Sequence, residues 1–398
     1  MALHGFVQAS YALRAIDANC PSTFDCGVMR AEERLQLKLD HASSDGRAGA
    51  LARVDLFHDA LRAEAGVDVR ELSADVNLGR FSARLGRQVV TWGLGELLFI
   101  NDVFPKDFVS FFIGRDDEYL KVPSDAAKLS VFSPVASLDL VLIPFFTPDT
   151  PLVGDRLSFF DSLLGRLAGQ ESHRLLTEPS FQPNNTEIAA RVSRMMGGYE
   201  VAGYAFRGFF KQAMGIKNQD AQELFYPELA VYGASLRGPA PVIGGIASGE
   251  LGYNDSLEDR RGTNRLIENA SMKYLAGYER DFPKDLRVGV QYFIEQMLDF
   301  DGFKGSFQSG DVPRDEFRQL MTVRITKLFW MQTLEASFFA FYSPTDDDAH
   351  LRPRLTWQLS DRWKATVGAD IFFGKHDWTE FGQLEDNDNL YVRVRYSF

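Results

Sequence analysis

Asn389-Leu390-Tyr391-Val392-Arg393-Val394-Arg395-Tyr396-Ser397-Phe398 closes the chain and decides how the rest is read. On an extended strand Leu390, Val392, Val394, Tyr396 and Phe398 share one face, and Tyr391, Arg393, Arg395 and Ser397 share the other. Side chains alternate across a strand with period two, so one face suits an apolar neighbour and the other suits water or charge. A soluble antiparallel sheet alternates in the same way. Two features favour a membrane barrel, whose apolar face meets lipid and whose polar face lines a lumen. The last residue is aromatic, as in bacterial outer-membrane barrels, and many upstream stretches have the same length and pattern.

Composition narrows the choice. The 398 residues contain no apolar run approaching the ~20 needed for a spanning helix. Backbone in hydrocarbon has to be satisfied internally, which leaves a closed barrel as the way to span. A mean hydropathy of -0.19 agrees with this, because half of each barrel strand is polar. Thirty-three phenylalanines suit interfacial girdles, and a net charge of -12 speaks against nucleic acid as a partner. Met1-Ala2-Leu3-His4 runs straight into a strand, so a mature chain without its export signal is expected, located in the bacterial outer membrane. Cys20 and Cys26 have a metal or redox reading, but a short disulfide pinning a loop is expected instead. No metal and no cofactor is expected.

Eighteen strands can be read between Leu3 and Phe398, an all-β, antiparallel transmembrane barrel of about 16–18 strands in a single domain over residues 1–398. Connections after odd-numbered strands are mostly long and those after even-numbered strands mostly tight turns, the pattern of long extracellular loops and short periplasmic turns. Two connections stand out as insertions, 93–124 and 147–185. The first carries Leu97, Phe104, Phe108 and Phe112 and is too apolar to stand in water, so it is expected to fold into the barrel as a constriction. Within the second, Leu157, Phe160, Leu164 and Leu167 have helical spacing, which predicts a helix over 156–167 at the mouth.

The faces assign a lumen rich in arginine: Arg84, Arg191, Arg287, Arg324, Arg352, Arg354, Arg393 and Arg395 are expected to line the pore, with Glu32, Asp55, Asp75, Glu187 and Asp370 among the interleaved acids. Such a wall either attracts anions and orients polar solutes or stiffens itself with arginine–carboxylate pairs. Arg352, Arg354, Arg393 and Arg395 form the most concentrated basic ladder. Arg87 interrupts the alternation of its strand and implies a bulge or a place near the rim.

Leu85-Gly86-Arg87-Gln88-Val89-Val90-Thr91-Trp92-Gly93 resembles the Gly-Arg-Gln-x-x-x-Trp-Gly strand end of an uncharacterised family of proteobacterial outer-membrane barrels. Its Gly-Arg-Gln core is also similar to that of the alginate-export porin family, whose barrels have eighteen strands. The likeness covers 80–119 and implies a structural anchor for the inserted loop at Arg87, Gln88 and Trp92. Alginate exporters carry a strongly basic lumen, whereas this one mixes signs beside an apolar insertion, so alginate itself does not fit.

The function expected from all this is a porin-like channel for passive passage of a small or extended solute, amphipathic or anionic. Its partners would be outer-membrane lipid and lipopolysaccharide and the solute itself. The alternative is a structural barrel component of an export or electron-transfer complex, with a periplasmic partner protein. A hydrolase is disfavoured. His58 and His376 lie near carboxylates, but no phosphate loop, zinc spacing or nucleophile elbow is visible.

Overall fold

The computed structural model describes residues 2–15, 27–152, 154, 156–169, 172, 174–308 and 310–398, so Cys20 and Cys26 and their expected disulfide lie outside the described residues. Eighteen strands form one closed antiparallel sheet in which each pairs with its neighbours in sequence. They are β1 Ala2–Arg14, β2 Val28–Ala42, β3 Ala48–Asp59, β4 Glu64–Leu78, β5 Phe81–Gln88 and β6 Ser124–Phe132. Then follow β7 Ser137–Ile143, β8 Glu187–Met196, β9 Tyr199–Phe209, β10 Glu228–Pro239, β11 Ile246–Ser256 and β12 Ser271–Phe282. The last six are β13 Leu286–Met297, β14 Phe317–Phe329, β15 Leu334–Ser343, β16 Asp348–Gln358, β17 Trp363–Gly374 and β18 Asn389–Ser397. β18 closes on β1, from Phe6 opposite Ser397 to Arg14 opposite Asn389, and the Phe398 N–H donates to the Gly5 carbonyl at 3.0 Å. Closure leaves the sheet no open edge, the condition a sheet has to meet in hydrocarbon.

The connections sort by end. Segments 89–123, 144–186, 210–227, 257–270, 298–316 and 375–388 lie at one end, with the shorter 60–63 and 344–347. Turns 43–47, 79–80, 133–136, 197–198, 240–245, 283–285, 330–333 and 359–362 lie at the other. The wall is apolar outside; its inner face is polar and charged except where the inserted segment packs against apolar side chains. In β1, Leu3, Val7, Tyr11 and Leu13 are exposed while Gln8 and Ser10 are buried; in β18, Leu390, Val392 and Val394 are exposed while Arg393 is buried. At the short-turn end Trp330 packs on Trp357 and Trp363 on Tyr396, with ring centroids 6.3 and 5.0 Å apart, as in an interfacial girdle.

The strands sit where the alternation predicts them, and the differences are at their ends. β12 begins at Ser271 rather than Leu266, because Ile267 bridges Gly215 and the Leu266 carbonyl accepts the Ile216 N–H at 2.8 Å. β11 begins at Ile246 rather than Val242, after Gly244 and Gly245 turn the chain with φ of +71° and +78°. The helix expected over 156–167 is instead a hairpin, Phe159–Asp161 paired with Arg166–Ala168. The Asp161 carboxylate accepts the Leu163 and Leu164 N–H groups at 2.9 and 3.3 Å and reverses the chain before a helical turn can repeat.

Val392 sits in the middle of β18 on the outer face. Val392→Arg is expected to cost ~2–4 kcal/mol of stability, the range for a charge at the bilayer midplane of a barrel. Reversible urea refolding into lipid vesicles measures it, and a shift within error would mean that this face does not meet lipid.

Candidate permeation path

The chain leaves the wall after β5 through Gly86-Arg87-Gln88. β4 bulges at Arg70, where Arg53 of β3 faces Glu71 and Val54 faces Val69. Beside that bulge the Arg87 Nε–H donates to the Val69 carbonyl at 2.7 Å, and Gln88 Nε2 donates to the Ala126 carbonyl of β6 at 3.0 Å. Gly86 has φ +117° with the Leu72 carbonyl where a Cβ would stand, so this position requires glycine. The end of β5 is thus tied to both neighbouring strands where segment 89–123 turns inward.

That segment crosses the lumen. On one side Trp92 packs edge-on against Phe104, with centroids 5.1 Å apart, and Phe104 joins a core of Val141, Ile143, Phe206 and Val231 from β7, β9 and β10. Glu250 of β11 is buried and gathers the chain. Its carboxylate accepts the Leu94, Gly95 and Asn101 N–H groups at 2.6, 3.2 and 3.0 Å and Asn101 Nδ2 at 2.8 Å. A side chain at Gly233 of β10 would collide with Asn101, so the bare backbone lets the segment approach the wall.

In the middle the segment is aromatic. A one-turn helix, α1 Phe108–Phe112, is capped by Asp107, which accepts the Ser110 N–H at 2.8 Å. Phe111 and Phe112 pack against Phe341, His350 and Phe372 of the opposite wall. Leu97 and Phe108 lean on the same cluster from half-buried positions. Of the expected constriction residues, Leu97, Phe108 and Phe112 therefore gather on the β12–β18 side and Phe104 on the β6–β10 side.

Beyond α1 the segment becomes charged and meets the arginine ladder. Arg30 donates to the Ile113 carbonyl at 2.6 Å and Arg115 pairs with Glu32 at 2.6 Å. Asp116 pairs with Arg393 and, at 2.5 Å, with Arg395. Asp117 pairs with Arg352 at 3.3 Å and Arg354 at 3.4 Å, and Glu118 lies 3.5 Å from Arg395. The Tyr119 hydroxyl donates to Asp55 at 2.8 Å between the guanidiniums of Arg34 and Arg70. Burial pushes the Asp117 carboxyl up, but Arg352 and Arg354 outweigh it and hold the group below the usual carboxylate range.

The other arginines expected in the lumen also face carboxylates: Arg84 lies 3.3 Å from Asp75, Arg287 2.6 Å from Asp281 and Arg324 2.7 Å from Glu96, and Arg191 pairs with Glu200. Arg84, Arg191 and Arg287 stand on β5, β8 and β13, apart from the acidic turn; Arg84 and Arg287 are open to solvent, and Arg191 is half-buried over Tyr204. Above the segment, at the long-loop end, lies a cavity of about 1310 Å³ whose lining includes Phe99, Phe108, Phe160, Tyr226 and Phe293. Glu250 and the turn 116–118 were not singled out from the sequence. The signals for them are an inward acid amid Gly249 and Gly252, and the run Arg115-Asp116-Asp117-Glu118 at the end of an apolar stretch.

Solved structures share this fold over the whole chain. OccK2 (OpdF) of Pseudomonas aeruginosa is 9% identical with a TM-score of 0.61, all of this chain covering 97% of that one. It has also been solved in complex with glucuronate, at 9% identity, TM-score 0.60 and the same coverage. OccAB4 of Acinetobacter baumannii is 11% identical with a TM-score of 0.60, again with 100% and 97% covered. The likeness is one of fold, the eighteen-stranded barrel of outer-membrane porins. No family model matches the chain, and no curated protein matches it in sequence.

Two outcomes follow from the anchors of the segment. Glu250→Leu strands three backbone N–H donors and is expected to cost about 2–5 kcal/mol and to open 89–123 to protease. Unchanged cleavage and unfolding midpoint would remove Glu250 as the anchor. Asp149 accepts the Lys106 N–H at 2.7 Å, and burial, against the pull of Lys106 and Lys211, pushes its carboxyl up to about 6. Folding thus favours its protonated form. That contribution is fully present below the ordinary 3.8 and is lost as pH rises through about 6. Asp149→Asn should flatten stability against pH across that window, and an unchanged slope in refolding titrations would rule Asp149 out as its source.

Proposed function

We propose that this chain is a passive channel of the bacterial outer membrane for a small amphipathic solute, its long loops facing outward. The observation that carries this is the cavity of about 1310 Å³ standing over a segment that crosses the lumen between two anchored walls. A solute would enter the cavity, pass the aromatic segment, and continue along the side where Arg84, Arg191 and Arg287 alternate with Asp75, Glu200 and Asp281. Walls of mixed sign suit a polar or amphipathic passenger better than a strongly charged one. The glucuronate complex of OccK2 supports a carboxylated sugar as a solute for this type of barrel. In this chain, however, the ladder that would attract an anion is already engaged by Asp116, Asp117 and Glu118. Lipid and lipopolysaccharide are the partners we assign to the outer face.

Planar-bilayer recording of the refolded barrel tests the proposal. Steady conductance is expected, and deletion of 97–112 is expected to raise it several-fold, since the narrowest section sets conductance. Reversal potential under a salt gradient reads the clamp. Replacing Asp116 and Asp117 by Asn and Glu118 by Gln should shift preference toward anions, and replacing Arg352, Arg354, Arg393 and Arg395 by Gln should shift it toward cations. A folded barrel that stays silent in every variant would sink the channel.

A further inference from the structure

We infer that the cavity at the long-loop end is a binding site for an uncharged, ring-bearing solute carrying hydroxyl or amide groups, and that it disfavours the same ring bearing a carboxylate; this rests on the channel reading above and names the solute class of that cavity. The lining supplies half-buried rings, Phe99 and Phe108 of the inserted segment and Phe160 of the loop 144–186, with the buried Tyr226 and Phe293 behind them. Aromatic surfaces of this kind favour a flat apolar body through area and ring geometry.

Charge is present in the lining but already spoken for. Among the described residues six cations line the cavity: Lys106, Arg174, Lys211, Lys273, Arg314 and Arg318. Lys106 lies 3.1 Å from Asp102, Arg174 3.4 Å from Asp161, Lys211 2.6 Å from Glu187 and Lys273 3.3 Å from Glu295. Arg314 holds Glu268 through two hydrogen bonds of 2.8 and 2.6 Å, and Arg318 pairs with Asp346 and Glu380 at 2.7 and 2.5 Å. An incoming carboxylate would have to share or displace one of these partners and give up its own water, which costs most at the buried cations Lys106 and Lys211. An uncharged solute meets no such demand. Its hydroxyl or amide can use the Thr150 hydroxyl and the Asn269 amide oxygen, whose Nδ2 is held by the Leu298 carbonyl, while Gln383 is engaged by Phe160 and Glu380.

The test uses the full chain in lipid nanodiscs, with empty nanodiscs subtracted, titrated with cinnamyl alcohol and with cinnamate, which share a ring and differ in charge. Saturable binding of the alcohol is expected, at least about tenfold tighter than that of cinnamate. Glu268→Gln frees Arg314 and is expected to tighten cinnamate about tenfold while leaving the alcohol unchanged. Cinnamate bound by the unmodified barrel as tightly as the alcohol, or no saturable binding of either, overturns the inference. So does a folded Glu268→Gln barrel that gains nothing for cinnamate. If that variant does not refold, the unmodified barrel decides through salt: alcohol binding independent of ionic strength supports the site, and strong salt-sensitive cinnamate binding overturns it. Conductance of the same preparation separates the two readings. A conducting barrel that binds neither probe loses the site alone, and a silent barrel that binds the alcohol loses only the channel.

Discussion

Four arginines of the wall, Arg352, Arg354, Arg393 and Arg395, close on three carboxylates of one inserted turn, Asp116, Asp117 and Glu118, and the interior of the barrel is arranged around that closure. Taking either set out of water alone would be prohibitive, and together they are tolerable because each charge meets a partner at hydrogen-bonding distance. Such networks contribute little net stability, but they penalise any arrangement that leaves one partner behind. The turn also needs Glu32 of β2 for Arg115 and Asp55 of β3 for Tyr119. Its partners come from both ends of the chain, so the clamp is complete only when β18 has met β1. Barrel closure and loop placement are thereby made one condition.

The opposite wall holds the segment by different means. Glu250 accepts backbone N–H groups rather than pairing with a cation, so it fixes the path of the chain as well as its position. Gly233 contributes by having no side chain in the way of Asn101. Between the two walls Phe108, Phe111 and Phe112 fill the gap with rings that meet Phe341, His350 and Phe372. Charge sets the register at one end, backbone hydrogen bonds set it at the other, and apolar packing fills the span. This is why an apolar loop of that length can be ordered inside a lumen whose wall is otherwise rich in charge.

Much of the wall was legible in the sequence because period-two alternation is a local property, and a register slip would turn every side chain to the wrong face. Strand ends were less legible, since Leu266 and Ile267 look like strand residues and are taken by Gly215 and Ile216 from another loop. The hairpin at 159–168 had the spacing of a helix, and the Asp161 side chain decided otherwise. The arginines could be assigned to the inner face, but which carboxylates they meet could not. Asp117 is far from Arg352 and Arg354 in sequence, and nothing local announces that pairing.

Pairing changes what those arginines do to anything that approaches. An unpaired guanidinium acts on an anion over roughly a Debye length, about 8–10 Å at physiological salt. A guanidinium in contact with a carboxylate presents a dipole, whose field decays much faster. Arg84, Arg191 and Arg287 are paired as well. With a net charge of -12 on the whole chain, no long-range pull on anions follows from counting arginines on the inner face. On the channel reading, discrimination therefore moves from attraction at a distance to contact, which is decided by the shape of the aromatic cavity and by what a solute must give up in water to enter it.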